Sequence, residues 1–215
     1  MLPAFVVSGS RAQNLFRPEW AVGASGGVNF SSVGFSPKVQ ESMLMGYGGG
    51  LTLRWNTEKN LGLQLELNFK QQGWKENFDD PEKPENAGYR FQRRMNYAEI
   101  PFMTHIYFGG GQTKVFVNLG PQIGFLLSES TEDNLNGAEP QKVNAQHTML
   151  AEKKIEWGLG GGPGLEIRTG IGYFLLEGRY YYALSDFYNT RHQDTFAKAS
   201  TQLISVKLTY LMPFR

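Results

Sequence analysis

The sequence predicts an all-β protein, a single antiparallel up-and-down transmembrane β-barrel with eight strands. In residues 61–70 (LGLQLELNFK), Leu and Phe alternate with Gly, Gln, Glu, Asn and Lys. Successive side chains of a strand point to opposite faces, so one face of this segment is wholly apolar and the other is polar. The same alternation recurs in eight segments, and bacterial outer-membrane barrels have an even number of strands from eight upward.

Long and short polar connections alternate between the predicted strands. Membrane barrels have short periplasmic turns and longer outer loops, so we expect periplasmic termini and extracellular long loops. Several strands exceed the roughly 9–11 residues that cross a bilayer, and their upper ends should stand clear of it. The predicted strands are residues 20–32, 43–55, 61–75, 95–108, 114–128, 155–168, 172–185 and 205–214. The long connections are residues 33–42, 78–92, 128–153 and 186–198, and the short ones are 56–60, 109–113 and 169–170.

Three prolines and a glycine-rich segment fall inside predicted strands. Pro101, Pro121 and Pro163 cannot donate to a ladder, so we expect a bulge or a locally missing bond at each. Residues 158–164 carry five glycines without the spacing of a dinucleotide-binding loop, and no helix follows them. We interpret them as positions that permit sharp curvature of a small barrel.

Composition excludes several classes of protein. The chain has 215 residues, enough for one domain, and 21 Lys and Arg against 20 Asp and Glu, which argues against nucleic-acid binding. It has no cysteine, so disulfide and thiolate chemistry are excluded. No stretch approaches the roughly 20 apolar residues of a transmembrane helix. The mean hydropathy of −0.38 remains compatible with a membrane barrel, because polar lumen residues dilute every strand.

The first residues resemble the end of a secretory signal. An apolar run over residues 2–7 leads into Ser10, Arg11 and Ala12, which suggests cleavage after Ala12. We therefore divide the chain into a partial signal peptide, residues 1–12, and an outer-membrane β-barrel domain, residues 13–215. A disordered tail is the alternative interpretation of residues 1–12.

Alternation also sorts the charged residues onto one face. An unpaired buried charge costs several kcal/mol, and the interior of an eight-stranded barrel is only just wide enough for side chains. We therefore predict a paired network that plugs the lumen and leaves no open channel. Its proposed members are Arg54, Glu66, Lys70, Glu99, His105, Glu156, Glu166, Arg168, Glu177, Arg179 and Lys207.

The opposite face is aliphatic, with aromatic residues near the strand ends. Such aromatic girdles mark the two membrane interfaces of outer-membrane barrels. A soluble barrel or sandwich is the alternative, since there the same apolar face fills a core. The residues that we assign to the lipid interface are Trp20, Trp55, Phe69, Trp74, Phe108, Trp157, Tyr173, Tyr210 and Phe214.

Several short motifs resemble the PorT-like outer-membrane β-barrel family of Bacteroidetes. They are the segments 96–102 (NYAEIPF), 118–124 (NLGPQIG), 176–180 (LEGRY), 23–31 and 204–208. The resemblance covers nearly all of the chain after the signal and implies a porin-like barrel of about eight strands with no catalytic residues. The founding member is linked to type IX secretion, a role that most relatives do not share. The chain ends in Phe214 and Arg215, one residue beyond the usual terminal aromatic.

The candidates for chemistry are few. Lipid A deacylases and acyltransferases use a His with a Ser, and His147 and His192 lie on predicted outer loops with Ser128, Ser130 and Ser185 within reach. No spacing singles out a pair, so we interpret both as solvated loop histidines. The acidic residues between 79 and 85 lack the spacing of a calcium loop. We expect no catalytic residue, cofactor or metal.

The sequence therefore predicts a non-enzymatic, monomeric barrel in the bacterial outer membrane. Its expected role is an envelope or surface-loop scaffold, or an accessory to a secretion or surface complex. Outer-membrane lipid is the expected partner, and nucleic acid is not. A lipid-modifying barrel enzyme of the lipid A deacylase type and a soluble lipocalin-like ligand carrier are the alternatives.

Overall fold

The computed structural model describes residues 16–36, 41–77, 88–134, 153–185 and 198–214. Neighbouring strands pair in chain order and β1 pairs with β8, so one antiparallel sheet closes into an eight-stranded barrel. The predicted fold class is confirmed. Among the described residues, no helix is long and apolar enough to cross a membrane. The strands are β1 (Glu19–Ser36), β2 (Glu41–Glu58), β3 (Leu61–Asn77), β4 (Arg90–Phe108), β5 (Thr113–Asn134), β6 (Ile155–Thr169), β7 (Gly172–Ala183) and β8 (Lys198–Phe214).

Most strands are longer than the alternation predicts. β1 continues to Ser36 and β2 begins at Glu41, so only residues 37–40 connect them, in place of the predicted 33–42. β5 runs on to Asn134 and β8 begins at Lys198. The extensions are polar or irregular in sequence, because a strand outside the bilayer needs no continuous apolar face. The short connections 59–60, 109–112 and 170–171 all lie at one end of the barrel, where β1 also begins and β8 ends. We call this end of the barrel the short-turn end.

The three strand prolines interrupt the ladder without bulges. Within the described strands, Pro101 has no partner on β3, Pro121 has none on β4, and Pro163 has none on β7. The register is the same on both sides of each gap. Register shifts occur elsewhere, in β2 and at the step from Asn96 to Tyr97. Each proline therefore removes ladder pairing on one side only, as expected for a residue without an N–H.

Side-chain burial alternates along the strands as the sequence predicts, with the apolar face outward. Leu65 and Leu67 are 44% and 56% exposed, whereas Glu66 between them is 1% exposed. The soluble alternative is wrong, because it requires the reverse. Two interface assignments are also wrong. Trp74 and Tyr173 are 0% and 8% exposed and point into the barrel, because each shares its parity with the inward residues of its strand.

The outward apolar band is as tall as the membrane-facing band of an outer-membrane barrel. On β4 it runs from Phe108 to Ala98, and Asn96 and Arg94 follow it. Ten residue steps cover ~33 Å along a strand, which a tilt of about 40° reduces to ~25 Å. Outer-membrane barrels have an apolar band about 25 Å tall. The upper parts of β3, β4 and β5 therefore project beyond the bilayer.

The lumen has three layers along the barrel axis. Nearest the short-turn end, an apolar cluster closes the barrel. The middle layer, at membrane depth, is charged. Above it, at the end with the long connections, aromatic and aliphatic side chains return, among them Trp74, Phe91 and Met95, all within 1% of complete burial. The cluster nearest the short-turn end consists of Ala21, Tyr107, Phe116, Tyr173, Leu175 and Leu211.

Candidate functional site

Glu66 is the centre of the charged layer. The Arg179 guanidinium donates to both of its carboxylate oxygens at 2.8 and 3.1 Å, and Lys207 Nζ lies 2.7 Å from Oε2. The side-chain amide of Asn68 donates to the same carboxylate at 2.8 Å. Arg179 also holds Glu177, with Nε 2.8 Å from Oε1. Residues from β3, β7 and β8 thus meet across the lumen, and each buried charge has an opposite charge beside it.

A second group lies on the side of the short-turn end. Arg54 Nη1 is 2.6 Å from Glu166 Oε2, and Arg168 Nε is 2.5 Å from Glu166 Oε1. Gln64 joins this group to the first one. Its Oε1 accepts from Arg54 Nε at 2.9 Å, and its Nε2 donates to Glu66 Oε1. The group around Glu66 and the group around Glu166 therefore form one continuous network.

A third group lies above the other two. Lys70 Nζ is 2.7 Å from Glu99 Oε2 and 3.4 Å from Glu156 Oε1. The other oxygen of Glu156 accepts from Gln72 Nε2 at 2.8 Å and from the Thr201 hydroxyl at 3.0 Å. Lys70 Nζ also lies 4.3 Å from the centre of the Tyr181 ring, a cation–π distance. Buried charge-assisted hydrogen bonds of this kind hold side chains in one geometry.

The structure places every proposed lumen residue inside the barrel, and ion pairs bring together all of them except His105. That histidine is completely buried, and its Nδ1 is 2.8 Å from Asn118 Oδ1. Its Nε2 is 3.9 Å from Glu166 and has no hydrogen-bond partner in the described part of the chain. His105 therefore packs against the network, where the nearby Glu166 carboxylate is already paired with Arg54 and Arg168.

Sequence reasoning missed the uncharged members of this network. Gln64, Asn68 and Gln72 share the inward parity of Glu66, so alternation could have found them. Glu19 precedes the predicted first strand, yet its Oε1 accepts from the Tyr173 hydroxyl at 2.6 Å. Selecting formal charges alone left the amides out, although buried charges need amides and hydroxyls to satisfy their remaining hydrogen bonds. Glu19 was missed for a different reason, because the predicted first strand begins one residue after it.

Side chains fill the described lumen almost completely. A cavity of about 40 Å³ remains beside Lys70, Glu99, Lys207 and the unsatisfied amide of Gln122. Since a water needs roughly 10–15 Å³ of such volume, the cavity has room for a few waters. Glycines on β6 make this packing possible. A Cβ on Gly160 would collide with the Gln122 amide, and one on Gly164 would collide with the Phe116 ring.

The barrel mouth at the far end holds a larger, open cavity. Its volume is about 600 Å³, and its walls come from the projecting ends of β2 to β5. Both charge signs line it, since Lys75 and Arg90 are among its lining residues together with Glu76 and Asp133. Phe91 is the aromatic residue in its lining, and its side chain is buried.

The proposed interface aromatics that point outward form two levels. Trp20 and Trp55 stack in parallel with ring centres 5.2 Å apart near the short-turn end. Tyr210 lies 5.1 Å from Phe174 at the same level. Phe108 and Phe214 are also exposed there, whereas Phe69 and Trp157 are exposed near the opposite edge of the apolar band.

The histidine–serine candidates gain no support from the described residues. His147, His192 and the acidic residues between 79 and 85 lie outside the described part of the chain. Ser128 accepts a hydrogen bond from Asn96 at 2.9 Å, and Ser185 accepts one from the Trp157 amide at 2.9 Å. Among the described residues, no group of three His, Cys, Asp or Glu side chains is arranged to hold a metal ion.

An eight-stranded barrel with an apolar exterior and a charged, filled lumen is an outer-membrane type of protein. A family comparison agrees, because residues 11–189 match the model of the outer membrane protein beta-barrel domain. The chain belongs to this family, and its location is the bacterial outer membrane. A comparison with curated protein sequences gave no match.

Solved structures share the fold at low sequence identity. A major outer membrane protein from Thermus thermophilus is 12% identical with a TM-score of 0.50, over 93% of this chain and 100% of that one. Ail of Yersinia pestis, in complex with the heparin analogue sucrose octasulfate, is 14% identical with a TM-score of 0.42, over 90% and 99%. Neisserial surface protein A is 12% identical with a TM-score of 0.44, over 89% and 96%. Likeness at these identities concerns the fold alone.

Proposed function

We propose that the protein is a non-enzymatic scaffold of the outer membrane that displays its long connections at the cell surface. The observation that carries this proposal is the filled lumen. The charges at membrane depth are paired with one another across the barrel, and both Glu66 and Arg179 are at least 94% buried. A filled lumen conducts no solute. The parts of the barrel outside the bilayer therefore carry out the function.

Those parts favour display of a binding surface. Three of the connections at the end away from the short turns are long, namely residues 78–89, 135–154 and 184–197. The strands β3, β4 and β5, which flank the first two of them, extend beyond the apolar band. The mouth cavity lies among these elements and carries both charge signs. A protein partner in a surface or secretion complex fits this surface. The resemblance to PorT-like proteins makes the type IX secretion machinery a candidate.

Orientation is the first test of the proposal. The chain has no cysteine, so a single introduced thiol reports its own position. Glu132→Cys is on the projecting part of β5, and Lys59→Cys is in a short turn. We expect a membrane-impermeant maleimide to label only Glu132→Cys in intact cells, and both variants after lysis. Labelling of Lys59→Cys in intact cells would contradict the proposed orientation.

Conductance measurements test whether the lumen is closed, and lipid analysis tests whether the protein is non-enzymatic. In planar bilayers the wild-type barrel should show no stable channel, whereas Arg179→Gly, which removes a central plug residue, should raise conductance. Porin-like conductance of the wild type would refute the closed scaffold. Mass spectrometry of lipid A from deletion and complemented strains should show the same acyl pattern. A pattern that changes on deletion and returns with the wild type, but not with His147→Ala, would establish an enzyme instead.

A further inference from the structure

Polar and cationic side chains replace the apolar band abruptly on one side of the barrel. On β4 the outward residue Ala98 is followed by Asn96 and Arg94, and on β3 Phe69 is followed by Gln71. Ser128 and Ser130 continue the same level on β5. Because the band itself matches the hydrocarbon core, these residues lie at the depth of the lipid headgroups.

Two cations at this level are close neighbours. Arg94 lies opposite Gly73 on β3 and opposite Ser130 on β5. Lys75 is two residues beyond Gly73 on the same strand, so it is a diagonal neighbour of Arg94, ~7–8 Å away. Both side chains are long enough to reach one anion between them. Asn96 and the serine hydroxyls add hydrogen-bonding groups beside it.

These cations differ from those of the lumen because they are unpaired. Within the described residues neither Lys75 nor Arg94 forms an ion pair, and neither does Arg90 above them. Arg94 Nε is shielded from solvent and has no hydrogen-bond partner among the residues that the structure describes. Glu132 is the acidic residue on this outward face of β5, diagonal to Arg94. Counting the described strands only, its one carboxylate does not balance three cations. Glu129 is engaged by Arg93, with Nη1 3.3 Å from Oε1.

Within the described part of the barrel, the cationic patch is confined to one side. Lys153 and Lys154 extend it on the far side of β5, where the Lys154 carbonyl accepts from the Leu126 amide at 2.7 Å. On β7, β8 and β1 the outward residues at this level are uncharged, including Tyr182, Gln202 and Ser32. A general preference for headgroups would place cations all round the barrel, so a one-sided patch indicates a specific site.

We propose that Arg94 and Lys75 bind a phosphate of an outer-leaflet glycolipid headgroup, the phosphorylated lipid A class. The acyl chains of that lipid would lie against the apolar band directly below, over Ala98 and Phe69. Arg forms bidentate contacts with phosphate and Lys adds a point charge, which suits a fixed lipid better than a diffuse anionic surface. The inference rests on the proposed orientation, with the long connections outside the cell.

The test is lipid binding by the purified barrel in phosphatidylcholine nanodiscs. Diphosphoryl lipid A and its dephosphorylated form are titrated separately, and native mass spectrometry counts the retained lipid. Arg94→Gln/Lys75→Gln should bind diphosphoryl lipid A about 30-fold more weakly, since each surface cation contributes about a factor of five. The matched control is Arg17→Gln/Lys59→Gln, which removes two exposed cations at the short-turn end and should stay within about twofold of wild type.

Each other outcome overturns a stated part of the inference. Equal binding of dephosphorylated lipid A by the wild type would exclude the phosphate as the recognised group. Displacement of lipid A by millimolar inorganic phosphate would show a free-phosphate site instead of a lipid site. Unchanged binding by the folded double variant would exclude these residues. Cysteine labelling separates the two proposals, because outward labelling of Glu132→Cys with no phosphate preference refutes the lipid site alone.

Discussion

At membrane depth the apolar side chains of the barrel point outward and the polar ones point inward, whereas above the membrane this arrangement is reversed. On β4 the inward residues Glu99 and His105 oppose outward Ile100 and Phe102, whereas higher up inward Phe91 and Met95 oppose outward Gln92 and Arg94. The change takes place within two residues of Tyr97. The same closed sheet thus crosses from one solvent to another, with a register shift between β4 and β5 at the step from Asn96 to Tyr97.

The surrounding solvent determines which side chains point inward. Where water surrounds the strands, the hydrophobic effect drives apolar side chains inward, and the projecting part resembles a soluble barrel. In the bilayer, lipid is as apolar as Leu and exerts no such inward drive, while the closed ladder already satisfies the backbone. The lumen can then hold charges, provided that each has a partner.

The strongest test of this difference is to unpair the central charges. Arg179→Leu leaves Glu177 without its cation and removes two hydrogen bonds from Glu66. Removing one partner of a buried ion pair costs roughly 3–5 kcal/mol. We expect a lower midpoint of the heat-modifiable gel transition and of urea unfolding in detergent, with membrane insertion retained.

The double variant Arg179→Leu/Glu177→Leu is the matched control for that change. It removes the stranded carboxylate together with its cation, while Lys207 continues to neutralise Glu66. The midpoint should recover in part. If neither variant moves the transition, the paired network does not stabilise the barrel.

Trp74→Ala probes the projecting core. Trp74 is completely buried and its Nε1 donates to Glu76 at 3.0 Å. Truncating a buried Trp costs roughly 3–5 kcal/mol, which here should appear as local opening above the bilayer. Hydrogen exchange should accelerate at the upper ends of β3 and β4 and stay slow at Leu65. Equal acceleration at membrane depth would show that the two regions unfold as one unit.

The boundary between the regions can be located with one substitution at two depths. Leu65→Arg places a cation on the lipid face within the band and should cost ~2–4 kcal/mol, whereas such a change near the interface costs ~0–1 kcal/mol. Gln71→Arg is the matched variant, because Gln71 points outward just above Phe69. Reversible unfolding into detergent or vesicles measures both. Equal penalties would place the bilayer edge elsewhere.

The smallest expected effect concerns lumen space. The Cβ of Gly160→Ala would meet the Gln122 amide, and overpacking of this kind costs roughly 1–3 kcal/mol. Adding Gln122→Ala should relieve the collision and restore the unfolding midpoint. A neutral Gly160→Ala would instead favour backbone curvature as the reason for the glycines on β6.

Sequence alternation predicted the strand number and the direction of almost every side chain. It failed where residue type was given more weight than parity. Trp74 and Tyr173 are aromatic and near strand ends, yet Trp74 shares the parity of Lys70, and Tyr173 that of Glu177. Strand length was underestimated because outside the bilayer neither face needs an unbroken apolar run. For the strand prolines, the sequence did not distinguish a gap in the ladder from a bulge, since either one accommodates a residue that has no N–H to donate.

The sequence by itself determined the fold class, the lipid face and most of the charges in the lumen, because a period of two and the absence of water on one side leave little choice. Only the tertiary structure decided which charges meet. Arg54 and Glu166 are separated by 112 residues, and Arg179 and Glu66 by 113. Their contact depends on the stagger of eight strands around the closed barrel, a geometric property of the whole sheet that no local pattern contains.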